Sequence, residues 1–219
     1  MRTSLLSQAG RGPSPMVWCL AVSGVLLLLA PPARAGGVVN NCTEADLRAA
    51  LAGGGTVTFA CDGTIVLTNE LVIAQDTVMD GSGREMILDG ARTNRVLHVM
   101  AGVQFTMIGL AVTNGRAQGT NGVAPLASGG IGQGGGLYSE GGDVALLDCV
   151  FTSNVAKGGD GAYLGSDPGG GDGGPGRGGA VMSEGGTVAA TNCAFVASFA
   201  QGGEGGEYSP PGRQGVGGN

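Results

Sequence analysis

Histidine and lysine are nearly missing: His98 and Lys157 are the only ones among 219 residues. One histidine excludes any metal or catalytic cluster that draws on several imidazoles. Basic residues are few as well. Without Arg2, Arg11 and Arg34, which fall in the leader described below, eight basic residues face 17 acidic ones, a net charge of −9. That balance lacks the basic footprint that nucleic-acid phosphates require. Apolar runs of spanning length are absent after residue 30, so no membrane span is expected in the exported chain. The 47 glycines follow no Gly-X-Y period, which excludes collagen.

The chain opens on an export signal. Arg2 and Arg11 precede an uncharged apolar run at 17–30, and Ala33-Arg34-Ala35 offers small residues for cleavage. The run is short for a membrane span and has cleavage-type flanks. Residues 1–35 are therefore read as a signal peptide cut near Ala35, and the protein as secreted or held at the cell surface, in the outer membrane or envelope.

Residues 36–55 read as an N-terminal cap. Thr43 is placed to N-cap a short amphipathic helix from Glu44 to Leu51, with Leu47, Ala50 and Leu51 on one face and Gly53 as the stop. Short β-rich runs follow, among them Thr56-Val-Thr-Phe59, Leu71-Val-Ile73, Arg95-Val-Leu-His-Val99 and Gln104-Phe-Thr-Met-Ile108. Asp-Gly, Ala-Gly and Asn-Gly turns separate them. Alternation in the His98 run puts Leu97 and Val99 on one face and His98 on the other.

The strongest internal signal is a repeat. GGGLYSEGGDVALLDCVFTSNVAKGGDG from Gly134 aligns without gaps on GGAVMSEGGTVAATNCAFVASFAQGGEG from Gly178, and 14 of 28 positions are identical at an offset of 44. A fixed period means stacked units. Each unit holds short strands between glycine turns and no helical periodicity, which points to a parallel β-helix. About 28 residues suit one coil, so the 16 residues from Ala162 to Arg177 are expected as a loop thrown outward. Three tracts share a start at Ala117, Ala156 and Ala200, and are expected to leave successive coils at one corner. The last runs into glycine towards Asn219 with no further strand, which predicts an incomplete β-helix at the C-terminus.

The GGGL and GGAV tetrads, followed by Phe151-Thr-Ser-Asn154 and Phe195-Val-Ala-Ser198, resemble the GGA-[ILV] and FxxN repeats of polymorphic outer-membrane proteins. More broadly they resemble bacterial right-handed β-helix proteins of the pectin-lyase-like superfamily. Gly136 and Ser198 depart from the pattern. The resemblance implies an all-β, right-handed parallel β-helix over 56–219, with a short capping helix and glycine-rich loops.

Four cysteines follow the leader in a disulfide-permissive compartment and allow three connectivities. Cys42 and Cys61 flank the capping helix, where a bridge would pin it to the first coil. Cys149 and Cys193 hold equivalent repeat positions and are expected to stack as a ladder without bonding.

Catalytic and metal sites do not emerge, and no cofactor is expected. Asp80, Asp89, Asp143 and Asp148 are candidate acids by type, but mostly sit beside glycine, where aspartate forms turns. Asp143 maps onto Thr187 and Asp148 onto Asn192, so the repeat supplies no acid pair of the glycosidase kind. Glu140 and Glu184 do repeat, and read as solvated turn residues with no arginine beside them. The calcium-binding nonapeptide fails at Tyr163 and Pro175, which disfavours a regular calcium roll and leaves open only a single adventitious calcium at Asp160, Asp167 or Asp172. The sequence thus favours a structural or adhesive surface protein that meets extracellular polysaccharide or a host or cell-surface ligand. The alternative is a polysaccharide lyase or glycoside hydrolase of pectate-lyase-like fold whose active coils are missing.

Overall fold

Alternation of apolar and polar residues sets the elements. A computed structural model describes residues 36–123, 127–162 and 170–206, all within one unit, Ala33–Asn219. Residues 1–35, where a leader is expected, lie outside the described residues, as do Tyr163 and Asp167. Strand β1 (Val38–Val39) precedes the helix α1 (Glu44–Leu51). Then come β2 (Gly55–Phe59), β3 (Gly63–Val66), β4 (Leu71–Ile73), β5 (Thr77–Asp80), β6 (Met86–Asp89) and β7 (Leu97–Val99). β8 (Gln104–Ile108), β9 (Leu110–Thr113), β10 (Arg116–Gln118), β11 (Gly132–Gln133) and β12 (Leu137–Ser139) follow. β13 (Asp143–Leu147), β14 (Val150–Thr152), β15 (Val155–Lys157), β16 (Gly176–Arg177) and β17 (Val181–Ser183) run through the same order. β18 (Val188–Thr191), β19 (Ala194–Val196) and β20 (Phe199–Gln201) complete the described strands.

These strands form five parallel sheets, so the described residues are all-β apart from α1. The first sheet runs β1-β2-β5-β8-β13-β18, the second β3-β6-β9-β14-β19 and the third β4-β7-β12-β17. The fourth is β10-β15-β20 and the fifth β11-β16. The chain visits the sheets in rotation, first three at a time and, from β8 on, five. Repeat-related strands pair in register at the offset of 44: Leu137 with Val181, Val144 with Val188, Phe151 with Phe195.

Register fixes the core. Inward positions stack as Val57, Met79, Met107 and Leu146 in the first sheet and Ile65, Leu88, Val112 and Phe151 in the second. All eight are at most 1% exposed. At roughly 1.5–3 kcal/mol for each large side chain fully buried, these ladders contribute substantially to the driving force. The corners use left-handed backbone at matching places. Asp148 and Asn192 (φ 54° and 52°) turn the first sheet into the second; Asn114, Ser153 and Ala197 (φ 53°, 57° and 50°) turn the second into the fourth. Asparagine and aspartate tolerate this conformation best among non-glycine residues.

The cap forms as its sequence dictates. Thr43 Oγ1 accepts from Asp46 N at 3.2 Å, and Leu47 and Ala50 are buried. Cys42 and Cys61 form a disulfide with Cα atoms 5.8 Å apart. The Glu44 carboxylate accepts from Thr68 N at 3.0 Å, and Arg48 Nη2 donates to Asn69 O at 2.7 Å, which ties α1 across the β3–β4 connection.

The glycine tracts depart from expectation. The stretch from Ala162 to Arg177 is not simply thrown outward. Its described part turns back, and Gly176–Arg177 forms β16 against Gly132–Gln133 without any apolar run. Ala117, Ala156 and Ala200 share one register position. Beyond them, Gly203 N donates to Gly174 O, Gly174 N to Gly159 O and Gly159 N to Gly130 O, each at 2.8 Å. Three residues along, Gly206 N donates to Gly171 O, Gly171 N to Ala162 O and Ala162 N to Ala127 O, each at 2.9 Å. The three-residue spacing is that of polyproline II segments, here bonded to each other. Only glycine permits the approach: a Cβ on Gly159 would lie 1.9 Å from Thr120 O, and one on Gly203 1.9 Å from Gly159 O.

Candidate functional site

The third sheet carries the densest polar cluster. Its outward register is Val72, His98, Tyr138 and Met182 on β4, β7, β12 and β17. Leu97 and Val99 face the core and His98 faces outward, as alternation dictates. His98 Nδ1 lies 3.3 Å from Glu70 Oε1, and Nε2 lies 3.0 Å from Glu140 Oε1. The second contact is an ion-pair distance off the hydrogen-bonding line, since Nε2 makes no hydrogen bond. Arg95 Nη1 meets Glu70 Oε2 at 2.7 Å, and its guanidinium lies 4.8 Å from the centre of the Tyr138 ring. Tyr138 donates its hydroxyl to Glu184 Oε2 at 2.6 Å, and Gln133 Nε2 donates to the other Glu184 oxygen.

Two pKa values follow from this packing. Burial, then the Glu184 hydrogen bond, pushes the Tyr138 hydroxyl up to about 12. The Tyr138 bond, with Gln133 adding to it, holds the Glu184 carboxyl below its ordinary value.

Glu140 and Glu184 are exposed turn residues, as expected, but the expectation that no basic residue lies beside them is corrected. Glu140 faces His98 and Glu184 is bonded to Tyr138. Arg95 sits on the same face, and Arg177 contributes to lowering the Glu184 pKa. Glycine turns bring the two glutamates back over the outer face, which sequence spacing alone does not reveal. Their turns are built by serine: buried Ser139 Oγ donates to Gly142 O and accepts from Gly142 N, both at 3.0 Å.

A general base needs a nitrogen or oxygen free to reach a substrate proton, and both His98 nitrogens face carboxylates. All three Arg95 nitrogens have partners: besides the Glu70 contact of Nη1, Nη2 donates to Gln133 O at 2.9 Å and Nε to Gly134 O at 3.1 Å.

Free hydrogen-bonding capacity lies next to it. A cleft of about 320 Å³ is lined by Asn69, Glu70, Asn94, Arg95, Arg116 and Gln118. A second, of about 350 Å³, is lined by Arg92, Arg116, Lys157, Phe199 and Gln201 among others. Arg116 borders both. Its Nη2 donates to Gln118 Oε1 at 2.6 Å, and Arg92 has no side-chain partner among the described residues. Lys157 pairs with Asp160 at 3.2 Å. Sequence reasoning missed Glu70, Arg92, Arg95 and Arg116. The available signal was that Glu70 and Arg95 both stand just before a third-sheet strand.

The remaining candidates are structural. Asp80 Oδ1 accepts from Ser82 N at 2.9 Å and Asp89 Oδ1 from Ala91 N at 2.7 Å, both closing aspartate turns. Asp143 Oδ1 accepts from Thr187 N at 2.9 Å, and Asp148 accepts from Asn192. Asp160 Oδ1 accepts from Glu204 N at 2.8 Å, and Asp172 is exposed. Cys149 and Cys193 are free thiols, with Cys149 N 3.4 Å from Cys193 Sγ. Burial pushes the Cys149 thiol up, which makes it unreactive. Among the described residues no group of three His, Cys, Asp or Glu is placed to hold a metal, and no helix is long and apolar enough to cross a membrane.

Against protein-family models, curated proteins and solved structures the chain finds no match.

Proposed function

We propose that the five sheets are the faces of a right-handed parallel β-helix of the pectin-lyase-like kind, exported and displayed outside the cell or on its envelope. Its role is structural and adhesive. In-register pairing at a constant offset supports the coil reading. The observation that carries the binding role is the pair of clefts joined at Arg116. They offer guanidinium, amide and aromatic groups on a rigid sheet surface. That combination suits hydroxyl-rich extracellular polysaccharide or a cell-surface ligand, because planar donors and an exposed ring grip polar polymers without chemistry.

Calorimetric titration with a panel of soluble polysaccharides tests the proposal. Binding should weaken at least tenfold in Arg116→Ala, with no bond cleavage in the recovered polymer. No binding to any panel member, or binding indifferent to Arg116, would remove the adhesive reading. N-terminal sequencing of the exported protein should begin at Gly36.

One observation favours the second reading, a polysaccharide lyase or hydrolase: Glu70 and Glu140 bracket His98 with Arg95 alongside. Turnover abolished by Glu140→Gln would establish it in place of adhesion.

A further inference from the structure

The chain is acidic, yet one of its clefts is not. None of the 17 acidic residues lines the cleft of about 350 Å³ bordered by Arg92, Arg116, Ser153 and Lys157. Register brings the three cations to it. Arg92 N donates to Asn114 O at 2.7 Å and Arg116 N to Asn94 O at 2.8 Å, so the turn after β6 runs beside the start of β10. β10 pairs with β15, Arg116 against Val155 and Gln118 against Lys157. Ala117 and Ala156 between them are buried, so alternation puts Arg116 and Lys157 on the outer face. None of the three stands on the last described layer.

Other arginines are matched by carboxylates: Arg48 by Glu44, Arg84 by Asp62 and Arg95 by Glu70. Arg92 and Arg116 form no ion pair among the described residues, and Arg116 donates only to the neutral Gln118 side chain. Lys157 meets Asp160 at 3.2 Å, but that carboxylate also accepts from Glu204 N. Backbone geometry adds a second observation. Arg92 holds left-handed backbone (φ 60°) beside Ala91 (φ 52°), a conformation that glycine adopts freely and other residues at a cost. No ion pair or side-chain hydrogen bond among the described residues offsets that cost. Strain kept under a charged side chain at the lip of a cleft points to a ligand.

We infer that this cleft binds sulfate or phosphate ester groups carried along an extracellular polysaccharide. Such an ester presents three terminal oxygens in different directions, and three separately mounted cations can each take one. A carboxylate has two oxygens in one plane, which a single guanidinium satisfies. The inference rests on the adhesive reading above and gives it a chemical class of ligand.

Calorimetric titration of the purified full chain with dextran sulfate, phosphorylated dextran, unmodified dextran and polygalacturonate tests it. One or both esters should bind about tenfold or more tighter than dextran and polygalacturonate, and the tighter ester names the source. Arg92→Gly should weaken that binding about tenfold or more, while the midpoint of thermal unfolding falls no lower, because glycine takes the left-handed backbone without strain. Arg84→Ala removes an equal charge elsewhere on the surface and should leave binding within about twofold. Dextran or polygalacturonate binding as tightly as the esters, ester binding indifferent to Arg92→Gly, or equal sensitivity to Arg84→Ala would overturn the inference and leave the adhesive reading standing. No binding of any polymer would overturn both.

Discussion

Asn154 shows what the asparagine of the Phe-x-x-Asn signature does physically. It is fully buried, its Nδ2 donates to Val112 O at 3.0 Å, and its Oδ1 accepts from Gly115 N at 2.8 Å. The side chain thus satisfies two backbone groups of the neighbouring layer where the chain turns away from the sheet. Asn154→Ala strands both groups in the interior and should cost about 2–3 kcal/mol, read as a lowered midpoint in urea. At the equivalent position Ser198 Oγ accepts from Asn154 N at 3.2 Å, which is why the shorter residue suffices there. Tyr138 offers a second residue-scale test. Spectrophotometric titration should find one tyrosine ionising near pH 12. Tyr138→Phe should delete that component, and Glu184→Gln should move it back towards the ordinary value by removing the acceptor charge.

At the scale of elements, the glycine tracts and the cap make opposite demands. The tracts depend on having no side chains. Gly159→Ala forces a Cβ against Thr120 O and should cost about 1–3 kcal/mol or more, whereas Gly185→Ala, whose nearest contact is 3.4 Å, should change stability little; thermal unfolding of both separates them. The cap depends on a covalent tie. Cys42 and Cys61 are 19 residues apart, and closing such a loop restricts the unfolded chain by about 3 kcal/mol. The Cys42→Ser, Cys61→Ser double variant should therefore unfold at lower temperature, with the sheet signal intact until it does.

For the whole molecule, stability should follow the order of the layers. Central strands such as β8 and β13 have partners on both sides, while among the described residues β17 to β20 pair on one side and are half-buried or exposed. Amide exchange should accordingly be slowest at the centre and fastest in β18 to β20. The pH profile has two limbs. Hydrogen bonds or ion pairs hold Glu44, Asp62, Asp80, Asp160 and Glu184 below their ordinary values. Their contribution is present above the unfolded carboxylate range and lost as acid protonates them, below about pH 4. Tyr138 is raised, so its contribution is full below about pH 10 and lost as the pH climbs towards 12. The midpoint of thermal unfolding should fall on both sides of a broad plateau.

The sequence by itself determined most strands of the first three sheets, the capping helix with Thr43 at its start, the outward turn of His98 and the in-register stacking at an offset of 44. Each of these rests on local alternation, capping or self-similarity, which neighbouring residues express without reference to the rest of the chain. Tertiary structure alone decided the rest. The strand at Gly176–Arg177 has no apolar pattern to announce it, because its backbone bonds are licensed by the glycines opposite. The meeting of Glu70, Arg95, His98, Tyr138, Glu140 and Glu184 depends on which strands share a sheet and in what register. Those residues are up to 114 positions apart from Glu70 to Glu184, and only the stacking of layers about five ångströms apart brings them onto one face.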